Sequence, residues 1–460
     1  MSSTTSRADG ARWCRGNRAR APGWLACLFP LTVALGTAGC LHERHLVGDG
    51  PGGGGGVAGA TNPDAGSGGA ATGGAAVVAG SGGLGGGGGG TGGTVTSLGD
   101  ATSGGWAVAI SPEEIAVRLS RLLLRKDPSP ALTAAVIASA PVTNQDVGKL
   151  TDGLLLQDAS LAGRQAFYRW WLSLDELLTV ERDATLFPGF GADVRQALLE
   201  QTLAFAEDVT WRPQGDLATL LTEPTAFVSA ATASWYPGVA APGGSAPVKV
   251  ALDPTRHAGI VTQPPVVARR DYPFRAAPVA RGMQVRGTYL CQWLPPAPPG
   301  ERSPLPFPDQ SLTIRQRLEA HRASPSCAAC HALLDPLGFA FGHFDAVGAY
   351  HDTEGGLPVD ATGPLLSTSA PDPLQFDGAP ALARILATLP EVRTCFAGQW
   401  LLFATGADPA TFNLWPSAEP GTNPLLADAD YVVKRATIQG RLNLRGVIRA
   451  VTETHAFLDP

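Results

Sequence analysis

The stretch SPSCAACHALLDPLGF, Ser324 to Phe339, places Cys327, Cys330 and His331 in a C-x-x-C-H spacing. The chain has 7 Cys and 8 His in 460 residues, so random placement gives on the order of 0.002 such matches. Two thiols three residues apart can each form a thioether to a vinyl group of one haem. The next residue then offers its imidazole to the iron. The spacing therefore predicts a single covalent haem c, held by Cys327 and Cys330 with His331 as proximal iron ligand. Zinc is an alternative, but it needs two more ligands. A structural disulfide is another. A thioredoxin-like pair would give the histidine no role.

The N-terminus speaks to compartment. Residues 1–23 carry Arg7, Arg12, Arg15, Arg18 and Arg20 against the single acid Asp9. Then WLACLFPLTVALGTAGC, Trp24 to Cys40, adds a short apolar run and small residues before a cysteine. This reads as a secretory signal over 1–40, too short for a membrane span. Its TAGC ending is similar to a bacterial lipobox, with Thr37 where leucine is usual. That likeness implies cleavage before Cys40 and lipidation of its thiol. Plain secretion and a retained anchor are the other readings, and all three export the chain. The net charge of −6 contains nothing basic enough to suggest nucleic acid.

Residues 41–105 are Gly-rich and low in complexity, a composition that cannot bury enough apolar surface to offset its ordering entropy. They read as a flexible linker. Order begins near Ser111: SPEEIAVRLSRLLLRKD has a serine cap, Pro112 at the first helical position, and Ile115, Leu119, Leu122 and Leu123 at helical spacing. Further helices are expected in VGKLTDGLLLQD, LAGRQAFYRWWLSLDELL and GADVRQALLEQTLAFAEDVTW, with Trp170 and Trp171 in the core. VKVAL is a possible short strand in an otherwise irregular 231–280. RGMQVRGTYLCQWL reads as one helix. A Pro-rich connector, 295–310, suits polyproline II. SLTIRQRLEAHR is a capped helix that leads into the C-x-x-C-H. AYHDT and LPVDAT flank Gly355-Gly356 as a hairpin. Helices are then expected at 379–389, 391–405 and about 440–457.

Several stretches together carry a family likeness: SPEEIAVRLSRLLL, FYRWWL, LLTEPTAFVSAATASWY, RHAGIVTQ, PVARGMQVRGTYLCQWLPPAPP, TIRQRLEAHRASPSCAACHALLDPLGFAFGHFDAVGAY, VDATG and CFAGQWLLFATG. In this order the chain resembles the planctomycete-type cytochrome c-like proteins built from planctomycete surface domains, which also occur as lipoproteins in myxobacteria. The resemblance spans about 111–457 and is most specific from Thr313 to Gly348. It implies a haem-binding cytochrome domain rather than a known reaction. Departures include FGHFD, with His343 at an Asn-like position, Met283, and ATGAD around Gly406.

The expected architecture is mainly α. A helical surface domain covers 106–294, a small cytochrome c-like domain with a short β-hairpin covers 311–378, and a C-terminal helical domain covers 379–460. For the distal side of the iron the candidates are His343, His351 and Met283, beside an open site. Met283 has core packing as its plainer role, and Phe339, Phe341 and Phe344 suit either a porphyrin wall or a core. Cys291, Cys327, Cys330 and Cys395 are the unlipidated cysteines of the exported chain, so a Cys₄ zinc site is conceivable. The simpler use of the outer two is a Cys291–Cys395 disulfide in an oxidising compartment. The function expected is cell-envelope electron transfer, or the haem-bearing part of an oxidoreductase, with an unidentified redox partner and a lipid anchor. The rival is a surface binding or scaffold protein in which the motif is structural. No nucleophile elbow, P-loop or dinucleotide fingerprint is found.

Overall fold

A computed structural model describes residues 105–140, 142–244, 246–294, 312–322, 325–415 and 423–459. The signal 1–40 with Cys40, the linker up to residue 104 and the connector 295–310 lie outside them. The protein is mainly helical, with two-stranded antiparallel sheets between its helices. Among the described residues no helix is long and apolar enough to cross a membrane.

The first helices follow their caps. In α1 (Pro112–Leu124) the Ser111 hydroxyl accepts the Glu114 amide at 3.2 Å. A short α2 (Pro130–Ala138) was not expected. It starts at Ser129-Pro130, where serine caps and proline occupies the first turn. Thr143 and Asp146 form a capping box at the start of α3 (Asn144–Leu155). LAGRQAFYRWWLSLDELL is two helices rather than one, α4 (Leu161–Trp171) and α5 (Glu176–Thr179), because the backbone turns left-handed at Ser173. Trp171 is buried. Trp170, one 100° step round the helix, is 36% exposed, so only one of the pair is core. Next come α6 (Ala192–Trp211) and α7 (Leu217–Thr222).

The strand expected at VKVAL exists. β1 (Thr225–Val228) pairs with β2 (Val248–Ala251), and β1 was not expected. The supposedly irregular region also holds α8 (Pro264–Ala268), and α9 (Pro278–Gln284) begins at its end. Past α9 the chain widens into a π-helical turn, Val285–Tyr289, and stops at Cys291, which is left-handed. RGMQVRGTYLCQWL is therefore a short helix plus a π turn, a feature frequent at functional sites.

The second half follows its expected outline. α10 (Ile314–His321) is capped reciprocally: Thr313 Oγ1 accepts the Gln316 amide, and Gln316 Oε1 accepts the Thr313 amide. α11 (Pro325–Phe339) carries the C-x-x-C-H. The hairpin is β3 (Thr353–Glu354) with β4 (Leu357–Pro358), turning at Gly355-Gly356, and a second pair, β5 (Thr362–Leu365) with β6 (Leu374–Asp377), follows. α12 (Gly378–Thr388) and α13 (Pro390–Thr405) match expectation. α14 (Leu426–Ala436) was missed. The last expected helix is preceded by the hairpin β7 (Thr437–Ile438) and β8 (Arg441–Leu442), then divides into α15 (Leu444–Thr452) and α16 (His455–Leu458).

The main core draws on all three segments of the ordered chain. Ile115 and Leu119 of α1, Phe167 and Trp171 of α4, Leu337 of α11, Leu382 of α12, Trp400 of α13 and Val447 of α15 share one buried cluster. Phe341 and Phe344 belong to it. Phe339 instead packs with Ile314 and Leu318 of α10. All three phenylalanines thus serve cores. The C-x-x-C-H helix is seated from below on the same apolar mass that organises the N-terminal helices.

Candidate functional site

α11 is held by three close approaches. A Cβ added at Gly282 of α9 would strike the carbonyl oxygen of Leu334, and one at Gly338 of α11 would strike that of Pro278. Glycine at both positions lets the two helix backbones touch. On another side Gly363 of β5 faces Pro336, and Phe339 meets α10. Arg286, in the π turn, reaches across. Its Nε donates to the Leu333 carbonyl at 3.0 Å and its Nη1 to Gln292 Oε1 at 2.6 Å, while its guanidinium lies 5.3 Å from the Trp415 ring centre. Burial pushes its pKa down to about 10. The π turn therefore places a buried cation against the helix that carries the motif.

On α11, positions 327, 330 and 331 are i, i+3 and i+4, which puts them on one helical face. Cys330 is an exposed free thiol. The side chain of Cys327 lies outside the described residues. His331 is mostly covered, with 17% of its side chain exposed, and its Nδ1 lies 2.9 Å from Oδ1 of Asp335 one turn on. Asp335 is fully buried, and Arg322 Nε stands 3.9 Å from its other oxygen. With the carboxylate ionised and the imidazole neutral, Nδ1 is the donor of this bond and Nε2 is the nitrogen with the lone pair.

The distal candidates occupy other places. Met283 follows the glycine that faces α11, and one helical step turns it outward, so it is 51% exposed rather than core. His343 and His351 come after the C-terminal end of α11, and the axial rise from His331 to that end is about 12 Å. His343 Nδ1 pairs with the His351 carbonyl at 2.9 Å, and its ring stacks on Tyr350. His351 Nδ1 pairs with the Thr353 carbonyl at 2.9 Å, and burial lowers its pKa. The two imidazoles face different spaces. His351 lines a cavity of about 260 Å³ with Arg275, Phe339, Phe344 and Glu354, whereas His343 lines a smaller one with Arg256, Tyr350 and Asp377.

Behind α11 the loop 341–345 is tied to α9 through Arg281, which itself stands in a buried ion pair. Arg281 pairs with Asp271 and donates to the carbonyls of Phe341 (2.7 Å), Phe344 (2.8 Å) and Asp345 (2.7 Å). Reading the sequence missed Arg281, Arg286 and Asp271. Nothing in their sequence surroundings marked them: Asp271 follows Arg269 and Arg270, and Arg286 sits between Gln284 and Thr288. Cys291 and Cys395 are joined, with α-carbons 5.3 Å apart. The bond takes two of the four thiols that a Cys₄ zinc site needs, so that alternative loses its ligand set.

Comparison with known proteins divides the chain in the same region. Neither a curated protein nor a solved structure matches it. Residues 257–354, which include α9, the π turn, α10 and the C-x-x-C-H of α11, match the family model PSCyt3, a protein of unknown function (DUF1588). Residues 110–237, from α1 through β1, match PSD4, a protein of unknown function (DUF1592), so the chain carries two segments that match planctomycete cytochrome c-like domain families.

Proposed function

We propose that the chain is an exported c-type haem protein, lipid-anchored through Cys40, that takes part in electron transfer at the cell envelope with a redox partner still to be identified. The observation that carries the reading is the His331–Asp335 pair on the C-x-x-C-H helix. A proximal histidine needs one ring nitrogen for iron and the other fixed by an acceptor. Here Asp335 engages Nδ1, which orients the ring and leaves Nε2 as the donor. Cys327 and Cys330 share the face of His331, as attachment of both vinyl groups of one porphyrin requires. A bound haem would supply one-electron redox chemistry.

Two further observations support the reading. The Cys291–Cys395 disulfide suits an oxidising compartment, in keeping with the signal at 1–40. In that compartment the exposed thiol of Cys330 calls for a covalent partner. Thioether formation with haem supplies one.

The test is production of the full chain in a periplasm equipped for haem maturation, followed by haem staining of a denaturing gel. Only thioether-bound haem survives denaturation. Wild type is expected to stain and to show a Soret band. Cys327→Ala with Cys330→Ala is expected to abolish the stain, and His331→Ala to keep the stain with an altered spectrum. Wild type without a Soret band overturns the reading. The anchor is tested separately. Cys40→Ser is expected to move the protein from the membrane to the soluble fraction, and unchanged retention rejects lipidation.

A further inference from the structure

Asp335 is out of place by every local rule. It sits inside a helix, where aspartate is a poor residue, and directly before Pro336, which disfavours helical backbone at the preceding position. It is also fully buried, an expensive place for a carboxylate without close partners. An ordinary i,i+4 surface pair contributes only about 0.2–0.5 kcal/mol and does not account for a buried one. One partner it reaches is His331 Nδ1 at 2.9 Å, on the side of the ring away from the nitrogen that would take iron. Arg322 at 3.9 Å tempers the charge on its second oxygen.

We propose that Asp335 is a positioning residue that sets the reduction potential of the iron bound by His331, holding it low by accepting a hydrogen bond from Nδ1–H. The inference rests on the haem reading above and adds to it the residue that tunes the site. The physical chain is short. A carboxylate acceptor makes the imidazole a stronger electron donor. Stronger donation, together with a nearby negative charge, favours the ferric state over the ferrous state. Arg322 acts in the opposite sense.

The experiment is potentiometric titration of the full haem-loaded chain, followed by its visible spectrum. Covalent haem content is measured first by gel stain. Asp335→Asn is expected to raise the potential by at least a tenfold change in the reduction equilibrium, 59 mV for one electron. Asp335→Glu, which keeps the carboxylate, is expected to return most of that shift. Arg322→Ala is expected to lower the potential, and this variant carries the test if Asp335→Asn does not fold. A haem-loaded Asp335→Asn, or in its absence Arg322→Ala, within twofold of wild type overturns the proposal while leaving the haem reading intact. Wild type without covalent haem removes both, and the gel shows this before any potential is measured.

Discussion

Cys291 and Cys395 are bonded across 104 residues of chain, and both are fully buried. The bond ties the end of the π turn to the second turn of α13, so α10, α11 and both hairpins beyond them lie inside the closed loop. In the chain-entropy account a loop of this length contributes about 4–5 kcal/mol. Cys291→Ala with Cys395→Ala is expected to lower the stability of the chain by an amount of that order, read as a shift in denaturant midpoint. Non-reducing peptide mapping of the wild type should recover the two peptides linked. Recovery of both as free thiols rejects the pairing.

Gly282 and Gly338 form the crossing of α9 and α11. Alanine inside a helix normally gains about 1 kcal/mol over glycine. At these positions the added Cβ meets a backbone carbonyl of the facing helix, which cannot step aside as a side chain can. Overpacking costs about 1–3 kcal/mol, so the penalty outweighs the gain. Gly282→Ala and Gly338→Ala should each unfold at lower denaturant than wild type. Gly153, which faces open space, is the control: Gly153→Ala should be neutral or stabilising. The same response at all three positions would contradict the packing account.

His257 is buried among Tyr236, Phe344 and Tyr350, and burial pushes its pKa down from 6.5 to about 4. A depressed folded-state value means the neutral ring fits the core and the charged ring does not. Its stabilisation is complete above the unfolded pKa of 6.5 and is lost as pH falls from there through 4. The full loss is about 3 kcal/mol. His257→Gln, which does not titrate, should show a flatter stability curve between pH 6.5 and 4 than wild type. Parallel curves over that window would show that His257 does not drive the loss.

Legibility differed by the kind of signal. α1, α3 and α13 could be read directly from a cap or a proline start, and α6 and α12, which lack a capping side chain, from the spacing of their apolar residues. The breaks could not. Nothing in LSLDELL announces the left-handed Ser173, and nothing in QVRGTY announces a π turn, since both are imposed by what the flanking helices pack against. β1 and β5–β6 were hidden for a related reason: strands of four residues carry too few alternations to stand out from buried helix.

At the candidate site the sequence alone determined the chemistry available. Cys327, Cys330 and His331 share a helical face because three- and four-residue spacings on an α-helix always do, and counting thiols offered a Cys291–Cys395 bond beside a Cys₄ site, a choice that only the approach of the two α-carbons to 5.3 Å decided. Tertiary structure decided the surroundings. It turned Met283 to solvent, because its neighbour Gly282 is the residue pressed against Leu334. It committed His343 and His351 to carbonyls in the loops after α11. It buried Asp335 against His331 and set Arg286 on the Leu333 carbonyl. Spacing along one helix is fixed by the backbone and can be read in advance. Which groups from other segments meet that helix depends on packing among residues far apart in the chain.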